Sequence, residues 1–145
     1  MMMQKIAKAR KRKGFSFMEI LVSLVLIVSL SVGAFFMFNE AQQTRKMAQM
    51  NNDMDAIVNG LLTYESLNIA SQLPDSLADL TTGLSEQESI DGSVHTNLVR
   101  STKAPDGKFV DPWGNAYEYV QADRTLTCIP KDASGQDMTA VVRYF

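Results

Sequence analysis

One carboxylate at the edge of a long uncharged stretch is the residue whose chemistry most needs an explanation. Glu19 precedes the segment 20–38, which contains no Asp, Glu, Lys or Arg. A carboxylate at the centre of a membrane helix costs about 2.5–3.5 kcal/mol, and less near an end, so Glu19 requires a cationic partner or a polar surrounding. Headgroup contact, or attraction to the positive end of a helix, would also meet that requirement. Six basic residues and no acid come before it: Lys5, Lys8, Arg10, Lys11, Arg12 and Lys13.

The uncharged segment has the length and composition of a membrane span. Its 19 residues, 20–38, also contain no proline. At 1.5 Å per residue a helix of this length covers about 28 Å, close to the hydrocarbon thickness of about 30 Å. The basic residues ahead of it predict a cytoplasmic N-terminus, with everything after Phe38 outside the cytoplasm. The residues alone leave open an ordinary signal anchor followed by a soluble domain.

The run Gly14-Phe15-Ser16-Phe17-Met18-Glu19 resembles the class III signal of the type IV pilin superfamily. The resemblance implies that a prepilin peptidase removes the leader 1–14 by cutting between Gly14 and Phe15, and that the new amine of Phe15 is then methylated. It also implies that 15–38 is a transmembrane and filament-core helix, in which Glu19 pairs with the amine of an adjacent subunit. The spacing itself permits Glu19 to pair with its own amine, about one helical turn away, or with a neighbour's.

The helix is predicted to continue beyond the membrane segment, as an amphipathic half over 39–72. Apolar residues recur there at spacings of three and four, which is the pattern of one helical stripe. No proline occurs before Pro74, so one helix from about Phe15 to about Ala70 is expected. Gly60 is an intrinsic weak point of about 1 kcal/mol relative to Ala. The stripe consists of Met47, Met50, Met54, Ile57, Leu61 and Tyr64.

The remaining residues, 73–145, are predicted to form a globular head. Pro74 disfavours helix in the preceding residue, and a short helical turn is expected over 75–80. The polar stretch 81–97 is interpreted as a loop or a poorly ordered connector, in which His95 has no metal-ligating companions. Alternating apolar residues and turn signals predict three antiparallel strands, over 116–120, 126–129 and 140–145. The fold class is therefore α+β, with the sheet closing over the helix stripe.

A second motif narrows the resemblance. Asp111-Pro112-Trp113-Gly114-Asn115, with Tyr117 two residues on, is similar to a motif of the major pseudopilins of type II secretion, as is the segment 73–80. The residues themselves predict a structural turn with Trp113 as a packing anchor and no chemistry of its own. The resemblance implies a pilin-like fold and a pseudopilus subunit that polymerises from the inner membrane to drive protein export.

The same resemblance implies the location and partners. The chain would sit in the inner membrane with a periplasmic head and would polymerise with itself and with minor pseudopilins. It would also meet the prepilin peptidase, the assembly platform and the ATPase of that platform. A type IV pilus subunit for motility, adhesion or DNA uptake is an alternative, as is a monomeric signal-anchored periplasmic domain. Cys128 is the only cysteine, so the disulfide common in pilins cannot form within the chain.

Major pseudopilins often bind calcium in a C-terminal loop, which corresponds to 130–139 here. Asp132 and Asp137 could supply oxygens, but an ordinary solvated loop is the preferred interpretation, and no cofactor is required. Removing the leader takes away six of the 14 basic residues and leaves eight against 16 acids, a net charge of −8. That acidity argues against nucleic-acid binding. With one histidine and no nucleophile–base motif, the sequence does not predict an enzyme.

Overall fold

The computed structural model describes residues 14–99 and 109–145, and it shows an α+β chain. One long helix, α1 (Phe17–Leu67), is followed by a short helix, α2 (Asp79–Thr82), and by three strands. The strands are β1 (Glu118–Val120), β2 (Thr125–Cys128) and β3 (Val141–Tyr144). The chain divides into two compact units, 1–38 and 39–145. The leader lies outside the described residues, apart from Gly14.

Helix α1 begins and ends close to the predicted positions. It starts two residues after Phe15 and stops at Leu67, before the expected end near Ala70. The early stop has a local cause, because the Asn68 side-chain oxygen accepts a hydrogen bond from the Ala70 amide at 2.8 Å. Ser71 then adopts a positive φ of 51°, which no helix can accommodate. The helix therefore ends before Pro74 has any influence on it.

The helix stripe packs under the sheet, as the spacing predicted. Met50, Met54, Ile57 and Leu61 are completely buried. They form one hydrophobic cluster with Leu126 and Cys128 of β2 and with Leu80, Val99, Phe109 and Tyr117. Met47 and Tyr64, at the two ends of the stripe, are only partly buried against this cluster.

The three strands form one antiparallel sheet in the order β1-β2-β3. Glu118 pairs with Thr127, and Thr127 pairs on its other side with Val142, so β2 is the central strand. β1 and β3 are shorter than predicted, and β2 has the predicted length but begins one residue earlier. Ala116 makes an isolated bridge with Val110 instead of joining β1. Two arginines join the sheet region to α1. Arg124 donates two hydrogen bonds to the Glu65 carboxylate, at 2.8 and 3.0 Å. Arg143 donates one to Asp55 and one to Asn51, both at 3.2 Å.

The segment 81–97 is ordered, which corrects the prediction of a poorly ordered connector. Leu84 and Ser89 are buried, at 1% exposure each, and two isolated antiparallel bridges, Leu84–His95 and Asn68–Ser89, fix the segment. Gly83 makes the turn at φ 81°, where an added Cβ would lie 1.7 Å from the His95 carbonyl oxygen. The expected short helix is also displaced: α2 starts at Asp79, whose carboxylate accepts from the amide and hydroxyl of Ser76.

Candidate functional site

Glu19 lies near the start of an apolar helical segment whose large side chains are exposed in the described residues. The large apolar side chains from Phe15 to Phe38 are all exposed, from 43% at Leu21 to 78% at Phe15. Within 14–38, Glu19 is the only charged residue. It lies in the first turn of α1, where its amide donates to the Ser16 carbonyl oxygen at 2.9 Å. Phe15 and Glu19 flank the same shallow surface, together with Ser23.

The hydroxyl groups in this segment are satisfied by the helix itself. Ser23, Ser29 and Ser31 each donate to the carbonyl oxygen four residues earlier, at 2.7–2.8 Å. Their polar atoms therefore need no water, and the Glu19 carboxylate remains the one strongly polar group of the segment. By length and composition α1 can span a membrane, since its apolar part is entirely unburied by the rest of the chain.

The motif 111–115 forms a turn organised by one carboxylate. Asp111 is 5% exposed, and its Oδ1 accepts from the amides of Trp113 at 2.9 Å and Asn115 at 2.8 Å. The backbone closes the same turn, because the Asp111 carbonyl oxygen accepts from Gly114 at 3.0 Å. Gly114 has a φ of 91°, at which a residue with a side chain would be strained. The five residues thus act together as a structural unit.

The turn is attached to the core through Cys128. The Cys128 thiol lies 3.4 Å from Asp111 Oδ2, and burial, with the Asp111 carboxylate second, raises the pKa of this thiol to about 12. Such a thiol is a poor nucleophile, because the reactive form is the thiolate. Burial also raises the pKa of Tyr117 well above its ordinary value. These groups form a packed structural cluster.

Trp113 packs on α1 as well as on the core. It is partly buried against the hydrophobic cluster, and the Lys46 ammonium lies 5.9 Å from the centre of its ring. Cation–π contacts of this kind contribute about 0.5–1 kcal/mol at exposed sites. Nearby, the Gln43 side-chain amide donates to the Lys131 carbonyl oxygen, which fastens the loop 130–139 to α1. No sequence signal had indicated these two contacts, since they join positions about 67 and 88 residues apart.

Within the loop 130–139, the Asp132 side chain accepts hydrogen bonds from other residues of the same loop. Asp132 Oδ1 accepts from the Ser134 amide at 2.8 Å, the Ser134 hydroxyl at 2.6 Å and the Gln136 amide at 2.9 Å. These bonds, the Ser134 hydroxyl first, hold the pKa of Asp132 below its ordinary value. Asp137 pairs with Lys131 through an isolated bridge. Within 14–99 and 109–145, no three His, Cys, Asp or Glu side chains gather as metal ligands would.

His95, placed in a loop by the sequence, has a carboxylate partner. Its Nε2 lies 3.0 Å from Asp91, which also accepts from Ser89 at 2.6 Å and from the Ser93 amide at 3.0 Å. The Ser89 hydroxyl, followed by His95, lowers the pKa of Asp91 to about 2. These bonds lie within the segment 89–95, and the Ile90 amide joins that segment to the end of α1 by donating to the Leu67 carbonyl oxygen at 2.8 Å.

The fold and site together define an α+β chain with one helix that is long and apolar enough to cross a membrane. Comparisons with protein-family models, with curated proteins and with solved structures find no match.

Proposed function

We propose that this chain is a structural subunit of a pseudopilus of the type II secretion kind, which polymerises through the apolar part of α1. The observation that carries the proposal is the position of Glu19: it is the only charged residue within 14–38, where the large apolar side chains are exposed, and it lies four residues after Phe15. The motif around Gly14 and the turn 111–115 resemble those of that family, which supports a pilin-like interpretation of the α+β fold.

The exposed apolar surface supports a membrane or filament location. Surface of this extent in water would be strongly unfavourable, at about 25 cal/mol for each Å² of apolar area. Two environments remove the penalty, namely lipid before assembly and neighbouring helices after it. The packed head, whose core closes without any residue from 14–38, would remain outside that apolar layer.

Pairing explains why a carboxylate is retained there. Cleavage after Gly14 would create an ammonium group at Phe15, one turn from Glu19 of the same chain and within reach of a neighbour. At an effective dielectric constant of 20, two unit charges 4 Å apart attract by about 4 kcal/mol. That attraction offsets the cost of placing an acid near the membrane, about 2.5–3.5 kcal/mol even at the helix centre.

Substitution of Glu19 tests the assembly role. Glu19→Ala should leave the chain in the membrane fraction but abolish or sharply reduce its recovery in sheared filaments, because a neighbour's ammonium would lack its partner. Glu40→Ala is the matched control, since it removes the same carboxylate from the same helix just beyond the apolar segment. Filament yield unchanged by Glu19→Ala would instead show that Glu19 is only an interfacial residue, whereas a wild-type chain that gives no filaments would favour a monomeric membrane-anchored domain.

Processing is tested separately by mass. Chain extracted from membranes containing an active prepilin peptidase should lack residues 1–14 and carry one additional methyl group. Gly14→Val should block the cut, because the resemblance places the peptidase recognition at this glycine. Recovery of full-length wild-type chain from such membranes would contradict the proposed processing.

A further inference from the structure

Two large apolar side chains of the head are exposed. Ile69 and Ile90 are 59% and 67% exposed. The Ile69 amide donates to the Glu88 carbonyl oxygen at 2.9 Å, and the Ile90 amide donates to that of Leu67 at 2.8 Å. These bonds lie on either side of the Asn68–Ser89 bridge. Both isoleucines are next to a bridged residue, so their side chains lie on the opposite face from that of Ser89. Ser89 itself is buried. The pair is therefore a fixed surface feature.

Acidic residues flank Ile90 in the sequence. Glu86, Glu88 and Asp91 are all exposed, and they lie within four residues of Ile90. No Lys or Arg occurs between Lys46 and Arg100. Pairing of this surface with the same surface of another copy would bring acids against acids, which disfavours a two-fold symmetric contact. The chemistry instead selects a partner with apolar and cationic groups.

The head carries unpaired cations at its other end. Among the arginines and lysines of the described head residues, Arg124 and Arg143 form ion pairs with α1. Arg45, Lys46 and Lys131 form none within 39–99 and 109–145. The contact of Gln43 with the Lys131 carbonyl oxygen brings Lys131 to the part of α1 in which Arg45 and Lys46 occur. Along α1, Lys46 and Leu67 are 21 residues apart, which corresponds to about 32 Å.

We propose that the acid-rimmed patch formed by Ile69, Ile90, Glu86, Glu88 and Asp91 docks a second copy of this chain through its Arg45–Lys46 region. The contact is head to tail: the patch of one copy binds the Arg45–Lys46 region of the next, so the two copies at the ends of a row each keep one of these surfaces unoccupied. A heterologous contact of this kind propagates into an open chain rather than closing as a dimer. The inference rests on the proposed function, and it assigns which surfaces of the heads meet in the filament.

Site-specific crosslinking tests the geometry of this contact. The only native cysteine, Cys128, is buried, so introduced thiols react selectively. Full-length chain carrying both Arg45→Cys and Glu86→Cys should give a ladder of multimers with a short bismaleimide in intact membranes. Each single variant should give no ladder, and a mixture of the two should give one crosslinked dimer. A product joining position 86 to position 86, or no product joining 45 to 86, would overturn the proposal.

Charge exchange tests the energetics in full-length chains without introduced cysteines. Glu86→Lys and Arg45→Glu should each lower the filament yield about two- to fivefold, as expected for exposed ion pairs, and their combination should restore it. Asp123→Lys is the control, because this exposed acid lies in the β1–β2 turn. Equal loss in the control and in Glu86→Lys would also overturn the proposal.

Filament yield separates this inference from the proposed function. Filaments that depend on Glu19 but give no product joining 45 to 86 would refute the head contact alone. A product joining 45 to 86 that persists in Glu19→Ala would support the contact and count against the role assigned to Glu19.

Discussion

Replacing Gly60 with alanine has two opposing effects on stability, a gain in helix propensity and a steric clash, whose magnitudes can be compared. Gly60 lies in the interior of α1, where helix propensity alone favours alanine by about 0.8–1 kcal/mol. A Cβ at this position would lie 2.4 Å from Val99 Cγ2 and 3.4 Å from the Leu98 carbonyl oxygen. Overpacking of a core costs about 1–3 kcal/mol. We therefore expect Gly60→Ala to destabilise the head by about 0–2 kcal/mol.

A double-mutant cycle with Val99 isolates the clash. Val99→Ala alone removes two methyl groups from a side chain that is 9% exposed, at a cost of about 0.8 kcal/mol per group. In the double variant the new methyl group at position 60 occupies part of the vacated space. The combined loss should then be smaller than the sum of the single losses by about 1–3 kcal/mol.

Denaturant unfolding of the full chain in detergent measures these differences. Trp113 is the only tryptophan and lies against the core of the head, so its fluorescence reports head unfolding. Gly33→Ala is the matched control, because nothing lies within 4 Å of a Cβ placed there. Stabilisation of the head by Gly60→Ala, with no coupling to Val99→Ala, would refute the close approach of the chain to this glycine.

Three further outcomes are expected in the head. Asp111→Ala should destabilise it by about 2–4 kcal/mol, measured by the same unfolding assay, because amides of the 111–115 turn lose a charged acceptor; wild-type stability would contradict this role. The pKa of Asp91, followed by NMR, should rise from about 2 towards 3.8 in Ser89→Ala, and an unmoved value would exclude the Ser89 hydroxyl as the main cause. Because the folded-state pKa of Asp91 is lowered, its contribution to stability is present above about 3.8 and is lost as the pH falls through about 2. A calcium chelator should leave the melting temperature unchanged; a decrease that disappears in Asp132→Ala with Asp137→Ala would instead establish the calcium loop.

Local patterns in the sequence were sufficient to predict the long helix, with an apolar first part and an amphipathic second part. The uncharged run 20–38 and the stripe from Met47 to Tyr64 both act through neighbours along one helix, so spacing alone indicates which positions are lipid-like and which pack. The strands were found for the same reason, although their ends moved by one or two residues. The turn at 111–115 was also predicted, because Pro and Gly restrict or free φ locally.

The interior of the head depended on contacts that no local pattern contains. The segment 81–97 is polar and was interpreted as a loop or a poorly ordered connector, yet Leu84 and Ser89 are buried in it and Ser89 forms a bridge with Asn68, 21 residues earlier. Gly60, interpreted as a weak point of the helix, is the place where the chain at Val99 crosses α1 closely.

Charge shows the same division between sequence and tertiary structure. The sequence by itself determined that residues 15–145 carry an acidic net charge and that no basic residue lies between Lys46 and Arg100. Only the tertiary structure decided that Arg124 and Arg143 are used by Glu65 and Asp55, which leaves Arg45 and Lys46 without ion-pair partners among the described residues. Composition fixes how many charges there are, whereas pairing depends on distances that long-range packing alone sets.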